Sequence, residues 1–290
     1  MTTFKDHFST NNAGYAAHRP TYPPALVEYL ADSAPDRALA LDAGCGTGQL
    51  STLLAERFAQ VVATDASAQQ IAAATPHARV TYRTAPAERS GLPEASTDLV
   101  TVAQAAHWLD LDPFYAEVRR IARPRAVVAL ITYGVLHVED AAADEVAQRF
   151  YSEVIGPYWP PERRHVEEGY RALPFPFAPL DAPALDIEVA WRLPDLIGYT
   201  ETWSAVRAAE KAVVDYGFHL APIEGQHLEE MDAMVTEFGV DSASFLPGSP
   251  APATFTEGRN RMKRGQHSRI RTPKICKVEM ARMFTAEYRT

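Results

Sequence analysis

Residues 38 to 132 predict an α/β fold: a Rossmann-like, doubly wound, mostly parallel sheet. Three observations predict it. Short apolar runs alternate with amphipathic helical stretches, a glycine-dense turn from Gly44 to Gly48 joins the first run to a helix, and an acidic residue, Asp65, closes the second run. Strands and helices alternating at this length pair in parallel, with helices on both faces.

The elements follow in order. Pro23 and Pro24 open a helix, because proline is tolerated in the first turn, and Leu26, Tyr29 and Leu30 give that helix one apolar face. Ala38 to Leu41 is the first strand. Gln49 to Phe58 is a helix with Leu50, Leu53, Leu54 and Phe58 at helical spacing, and Gln60 to Thr64 is the second strand. Ser67 caps a helix reaching Ala74. Val80 to Arg83, Thr97 to Ala103 and Ala126 to Thr132 are the third, fourth and fifth strands. Asp112 to Ala122 is the helix between the last two, stopped by Pro124.

After Gly134 the rhythm breaks. Asp140 to Ile155 reads as a helix, seven prolines follow between 157 and 183, Leu185 to Leu193 alternates as a strand, and Pro194 to Glu210 is an amphipathic helix. The expected organisation has four parts. Residues 1–36 are an N-terminal lid and first helix, and 37–133 are the ligand-binding core. Residues 134–215 form a helical, aromatic cap insertion holding one more strand of the sheet, and 216–290 form a divergent C-terminal segment.

Hydrophobic residues make up 47% of the 290 and charged residues 22%, which supports a sizeable core and excludes wholesale disorder. The longest clean apolar run, Ala126 to Ile131, is too short to cross a bilayer. The polar stretch from Met1 to Arg19 has no apolar signal segment, so a cytoplasmic protein is expected. Cys45 and Cys276 make no disulfide framework, and no Cys/His spacing suggests a metal. The net charge of −9 is uneven: Arg259 to Thr290 holds 10 Lys/Arg against 2 Asp/Glu. The acidic remainder does not suit a nucleic-acid-coating protein, and the basic cluster lacks interleaved aromatics, so a solvated tail is expected there. The sequence leaves oligomeric state open.

Leu41-Asp42-Ala43-Gly44-Cys45-Gly46-Thr47-Gly48 follows a strand and opens a helix. A ligand lying across a strand end must approach the backbone closely, which glycine permits. Dinucleotide sites use G-x-G-x-x-G, but Gln49 stands where the third glycine would be. Here the spacing is Asp-x-Gly-x-Gly-x-Gly. An acid at 42 sits badly beside a pyrophosphate and well beside an ammonium group. S-adenosylmethionine carries an ammonium, a sulfonium and no phosphate. Asp65, at the second strand end, is placed to accept both hydroxyls of a ribose, a feature shared with NAD sites.

These residues resemble the class I S-adenosylmethionine-dependent methyltransferases, in the branch of trans-aconitate-methyltransferase-like and ubiquinone-biosynthesis-like small-molecule enzymes. The likeness runs from about Phe8 to Val206. It rests on Tyr15 to Pro23, Leu41 to Gly48, Val61 to Ser67, Ala85 to Leu92 with Ser96 to Leu99, and Gln104 to Trp108. It implies that Gly44, Gly46 and Gly48 line the methionine moiety and that Asp42 supports its ammonium. It places Asp65 on the ribose, Ala66 beside the adenine, Ala87 and Glu88 at the adenine edge, and Gln104 beneath the cofactor. Tyr15 and Arg19 correspond to lid residues, with Arg19 pairing the cofactor carboxylate. S-adenosyl-L-homocysteine is the implied product. Such proteins end on an apolar strand near the C-terminus, for which Ile275 to Phe284 is the best but a poor counterpart.

Methyl transfer needs alignment and exclusion of water more than acid–base help, and a base only for a protonated acceptor. His107 is the candidate base or acceptor-positioning group, since its ordinary pKa is near 6.5. Trp108 is a candidate wall and Tyr15 a candidate closing residue. Tyr133, Tyr158, Trp159, Trp191, Tyr199 and Trp203 make the region aromatic. A small-molecule acceptor methylated on oxygen, carboxylate or hydroxyl, is expected. The alternatives are an NAD-dependent oxidoreductase, a cofactor-binding protein without turnover, and an RNA methyltransferase using the basic tail.

Overall fold

The computed structural model describes residues 19–183, 185–215, 268–275 and 278–282. Helix α1 (Pro24–Ser33) precedes β1 (Leu39–Ala43), α2 (Gln49–Leu54), β2 (Gln60–Asp65), α3 (Ala68–Ala72), β3 (Val80–Thr84) and β4 (Thr97–Ala103). A 3-10 turn, Ala106–Trp108, leads to α4 (Leu111–Ile121) and β5 (Ala122–Ile131). The segment beyond holds β6 (His137–Val138), α5 (Ala141–Arg149), α6 (Arg163–Glu167), β7 (Ala178–Leu180), β8 (Leu185–Trp191), α7 (Leu193–Glu201) and α8 (Ser204–Asp215). Two late strands follow, β9 (Ser268–Ile275) and β10 (Val278–Arg282).

The main sheet runs β3-β2-β1-β4-β5-β10-β7. Its first five strands are parallel, and β10 enters antiparallel to both β5 and β7. Alternation along the strands sorts their side chains to two faces. Ala40, Val127, Ala129 and Ile131 pack with Leu26, Leu30, Leu50, Leu54 and Phe58 on one face. Leu41, Val128 and Leu130 pack with Phe114, Tyr115, Val118 and Ile121 on the other. The Rossmann-like, mostly parallel α/β sheet expected from the sequence is therefore present.

Two buried carboxylates clasp the elements together, one at the start of β1 and one between α4 and the loop after β3. The Asp98 carboxylate, fully buried, accepts the N–H groups of Ala38 and Leu39 at 3.0 Å each and pairs with Arg123 at 3.0 Å. Buried Glu117 accepts the Ser90 hydroxyl at 2.6 Å and its N–H at 2.9 Å. In the segment Ser96 to Leu99, the acidic residue thus anchors the start of β1.

Four expectations change. The weak candidate at 275 to 284 contains a real strand: Val278 to Arg282 is the antiparallel partner of β5. The extra sheet strand of the cap is Ala178–Leu180, whereas Leu185–Trp191 joins a separate three-stranded sheet, β6-β9-β8. The expected helix from 140 to 155 stops at Arg149 and continues as a π-turn through Val154, and the expected helix from 194 to 210 breaks between Glu201 and Ser204. Asp140 caps the first of these by accepting the Ala143 N–H at 2.9 Å. Tyr151, Ile155, Tyr199 and Trp203 give this region its own core. Among the described residues, no helix is long and apolar enough to cross a membrane.

Candidate active site

The glycine turn, the ends of β2 and β4, and the segment after β3 surround a cavity of about 620 Å³, inside the roughly 300–1,000 Å³ common for small-molecule sites. Asp42, Gly44, Gly46, Asp65, Ala66, Ala87, Glu88, Gln104, His107 and Trp108 all line it. So residues expected from four separate sequence segments converge.

Gly44 and Gly48 need glycine for reasons internal to the protein. Both have left-handed backbones, at φ +68° and +84°, where a Cβ is costly. A Cβ on Gly44 would approach the Ala105 Cβ to 2.7 Å, and one on Gly48 would strike the Tyr82 hydroxyl. Gly48 faces β3 and is not in the cavity lining, so its place is the start of α2 and not the ligand. Gly46 shares the left-handed backbone, at φ +56°, but its surroundings are open: the nearest atom to where a Cβ would stand is the Gln70 Oε1, 3.9 Å away. The space a side chain would fill there belongs to the cavity.

Asp65 does two things. Its Oδ2 accepts the Gly46 N–H at 2.9 Å and its Oδ1 accepts the Ser67 N–H at 2.8 Å. The carboxylate therefore ties the glycine turn to the cap of α3 while still lining the cavity. Asp42 lies deeper, 1% exposed, accepting the Ser51 hydroxyl at 2.6 Å and the Thr101 hydroxyl at 2.8 Å. Burial pushes its pKa up to about 6; the two hydroxyls oppose that shift and nearby Asp65 adds to it.

Gln104 has a left-handed backbone at φ +55°. Its side chain is spent on the sheet: Oε1 accepts the Thr132 hydroxyl at 2.8 Å and Nε2 donates to the Tyr133 carbonyl at 2.9 Å. It forms a fixed floor. His107 Nδ1 lies 2.9 Å from the Tyr170 hydroxyl, and its ring lies 4.6 Å from that of Trp108. Burial, then the charges of Arg163 and His165, lower the His107 pKa to about 3. The imidazole is neutral across the physiological range and a weak proton acceptor, which disfavours the base and favours the positioning role.

Arg19 stands away from the glycine turn. It donates to the Tyr133 hydroxyl at 3.2 Å and the Thr202 carbonyl at 3.4 Å, and lies 5.7 Å from the Tyr199 ring centroid. It thus sits among the aromatics of the cap. Tyr15 and most of the basic cluster lie outside the described residues. Reading the sequence missed Tyr170, Arg163 and Glu162. Tyr170 is a buried aromatic with no local signal, and Glu162-Arg163-Arg164 reads as a solvated charge run.

A family model described as a methyltransferase domain matches residues 41–130. A protein of Dictyostelium discoideum named as a methyltransferase is 36% identical over 215 residues, covering 73% of this chain and 81% of that one. A solved type II methyltransferase from Anaeromyxobacter dehalogenans is 41% identical, with a TM-score of 0.71 over 92% of this chain and 98% of that one. The chain belongs to the class I S-adenosylmethionine-dependent methyltransferase family. An uncharacterised methyltransferase of Mycobacterium tuberculosis is 38% identical over 127 residues, and this methyltransferase spans about half of it, 51%. The family's cofactor, S-adenosyl-L-methionine, fits the donor set: a buried carboxylate, a strand-end carboxylate and an open glycine cradle.

Proposed function

We propose that this methyltransferase moves a methyl group from S-adenosyl-L-methionine to an oxygen of a small molecule. The observation that carries it is continuity: the cofactor cavity and a smaller aromatic recess share Gln104, His107, Trp108 and Tyr133 along their common border. A donor on one side and an acceptor on the other would meet at that border.

Asp42 takes the ammonium, with Gly44 and Gly46 along the methionine chain. Asp65 takes the ribose hydroxyls, Ala66, Ala87 and Glu88 surround the adenine, and Gln104 is the floor. When bound, the cofactor supplies a methyl carbon on a sulfonium, an already activated leaving group. Bound there, it would give that methyl to an acceptor oxygen lone pair and leave as the thioether S-adenosyl-L-homocysteine. The protein's share is alignment and dryness. Neutral His107, oriented by Tyr170, positions the acceptor and does not remove its proton. That suits an acceptor already ionised, such as a carboxylate.

Calorimetry with S-adenosyl-L-homocysteine tests the donor half; no heat at millimolar ligand would defeat it. A screen of small acceptors with a labelled methyl group tests turnover. Label retained by the protein with no methylated product across the screen would point to a binding protein instead.

A further inference from the structure

The smaller recess, of about 60 Å³, is too small for a whole metabolite and suits the end group of one. Its lining includes two arginines, Arg163 and Arg19, which lie against the rings of Trp159 and Tyr199, with Trp203 beside them. Aromatic walls alone would suit an apolar or a cationic group. Two guanidiniums exclude the cation.

Arg163 is held in place. Its Nε donates to the Tyr151 hydroxyl at 2.8 Å, and that hydroxyl donates onward to Glu167 at 2.5 Å. Its guanidinium lies 4.5 Å from the Trp159 ring centroid and 5.4 Å from that of Tyr151. Among the described residues it forms no ion pair. A stacked, oriented guanidinium of this kind has its remaining N–H donors set in a plane, the geometry that receives a carboxylate through two parallel hydrogen bonds. The positive field is felt nearby: Arg163 lowers the His107 pKa in the same direction as burial does.

We infer that this recess grips a carboxylate of the methyl acceptor through Arg163, so that the acceptor is a small organic acid. The inference rests on the methyltransferase reading above. It gives the recess a recognition role: the anion is held beside Arg163 while the rest of the molecule reaches toward the cofactor cavity across the shared border. Arg163 is here a specificity-determining residue, and the Tyr151–Glu167 pair is what aims it.

The test is calorimetry on the full chain saturated with S-adenosyl-L-homocysteine, titrated with benzoate, benzamide and inorganic phosphate. Benzoate should bind about tenfold or more tightly than the neutral amide, because only the carboxylate answers the guanidinium. Arg163→Gln should lose about tenfold in benzoate affinity, with Arg163→Lys in between, since a lysine keeps the charge but not the fork. Affinity for S-adenosyl-L-homocysteine should be unchanged in both variants, which also reports that they fold. Equal binding of benzoate and benzamide, no benzoate binding at ~10 mM, or an unaltered Arg163→Gln would overturn the inference at weak organic-acid affinities. Phosphate binding as tightly as benzoate would show a plain anion site and overturn the carboxylate assignment. Failure of S-adenosyl-L-homocysteine to bind the unaltered chain is a separate result, and would overturn the methyltransferase reading together with this one.

Discussion

Asp42 must be ionised to meet an ammonium, and its surroundings oppose that. Its folded pKa of about 6 stands above the ordinary 3.8. In the cofactor-free protein the sign follows directly: between those two values the folded state holds the proton more tightly, so this group's contribution to stability falls as pH rises from 3.8 to about 6. A bound ammonium reverses the preference. Affinity for S-adenosyl-L-homocysteine should therefore rise with pH up to about 6 and then level, falling roughly tenfold between pH 7 and pH 5. Titrations across that range check it, and Asp42→Asn should flatten the curve. Asp65→Ala should weaken the same ligand by at least about tenfold, through lost charge-assisted hydrogen bonds and through release of the Gly46 and Ser67 N–H groups it now satisfies. An unchanged affinity would place the ribose elsewhere. His107, already neutral, should give kcat/KM no ionisation near pH 6.5. A limb at that pH, lost in His107→Gln, would restore the general-base reading.

Elements in this fold are positioned by buried charge as much as by apolar packing. Asp98 caps two N–H groups at the start of β1, the strand that delivers Asp42 and the glycine turn. Asp98→Ala should lower stability by about 2–4 kcal/mol, below the full cost of breaking a buried ion pair because Arg123 is 38% exposed. Urea denaturation measures it; a change under about 0.5 kcal/mol would mean the clasp is replaced by water. The inner parallel strands β1, β2, β4 and β5 were legible because each carries a buried, largely apolar run, whereas the outer strand Val80–Thr84 is polar and half-exposed and was read only from its place in the alternation. The glycine turn was legible because left-handed backbone at 44, 46 and 48 leaves few substitutes. Arg163 and Tyr170 were not, because their meaning depends on Trp159, Tyr151 and His107, which meet them only through the tertiary fold. The break after Glu201 was hidden for a similar reason: Trp203 falls inside it yet keeps helical spacing from Tyr199.

At the scale of the whole molecule, the weakly patterned end of the chain proves central to the sheet. Val278-Glu279-Met280-Ala281-Arg282 has two charged residues in five and none of the apolar density of β5, so its sequence signals a strand poorly. Its backbone nevertheless fills the gap between β5 and β7. A chain ending at Ile275 should lose that pairing on both sides, and its thermal midpoint should fall markedly or the protein should be recovered insoluble. Unchanged melting and unchanged cofactor-product affinity would show the remaining sheet to be self-sufficient.

Because β7 ends at Leu180 and its neighbour begins at Val278, order of synthesis differs from order in space. At about 5–20 residues per second on the ribosome, the earlier strand waits several seconds or more for its partner to emerge. During that interval both β5 and β7 present bare hydrogen-bonding edges, which are open to mispairing with other nascent chains. Yield in cells should therefore depend on translation speed and chaperone supply more than a parallel core of this size would otherwise suggest.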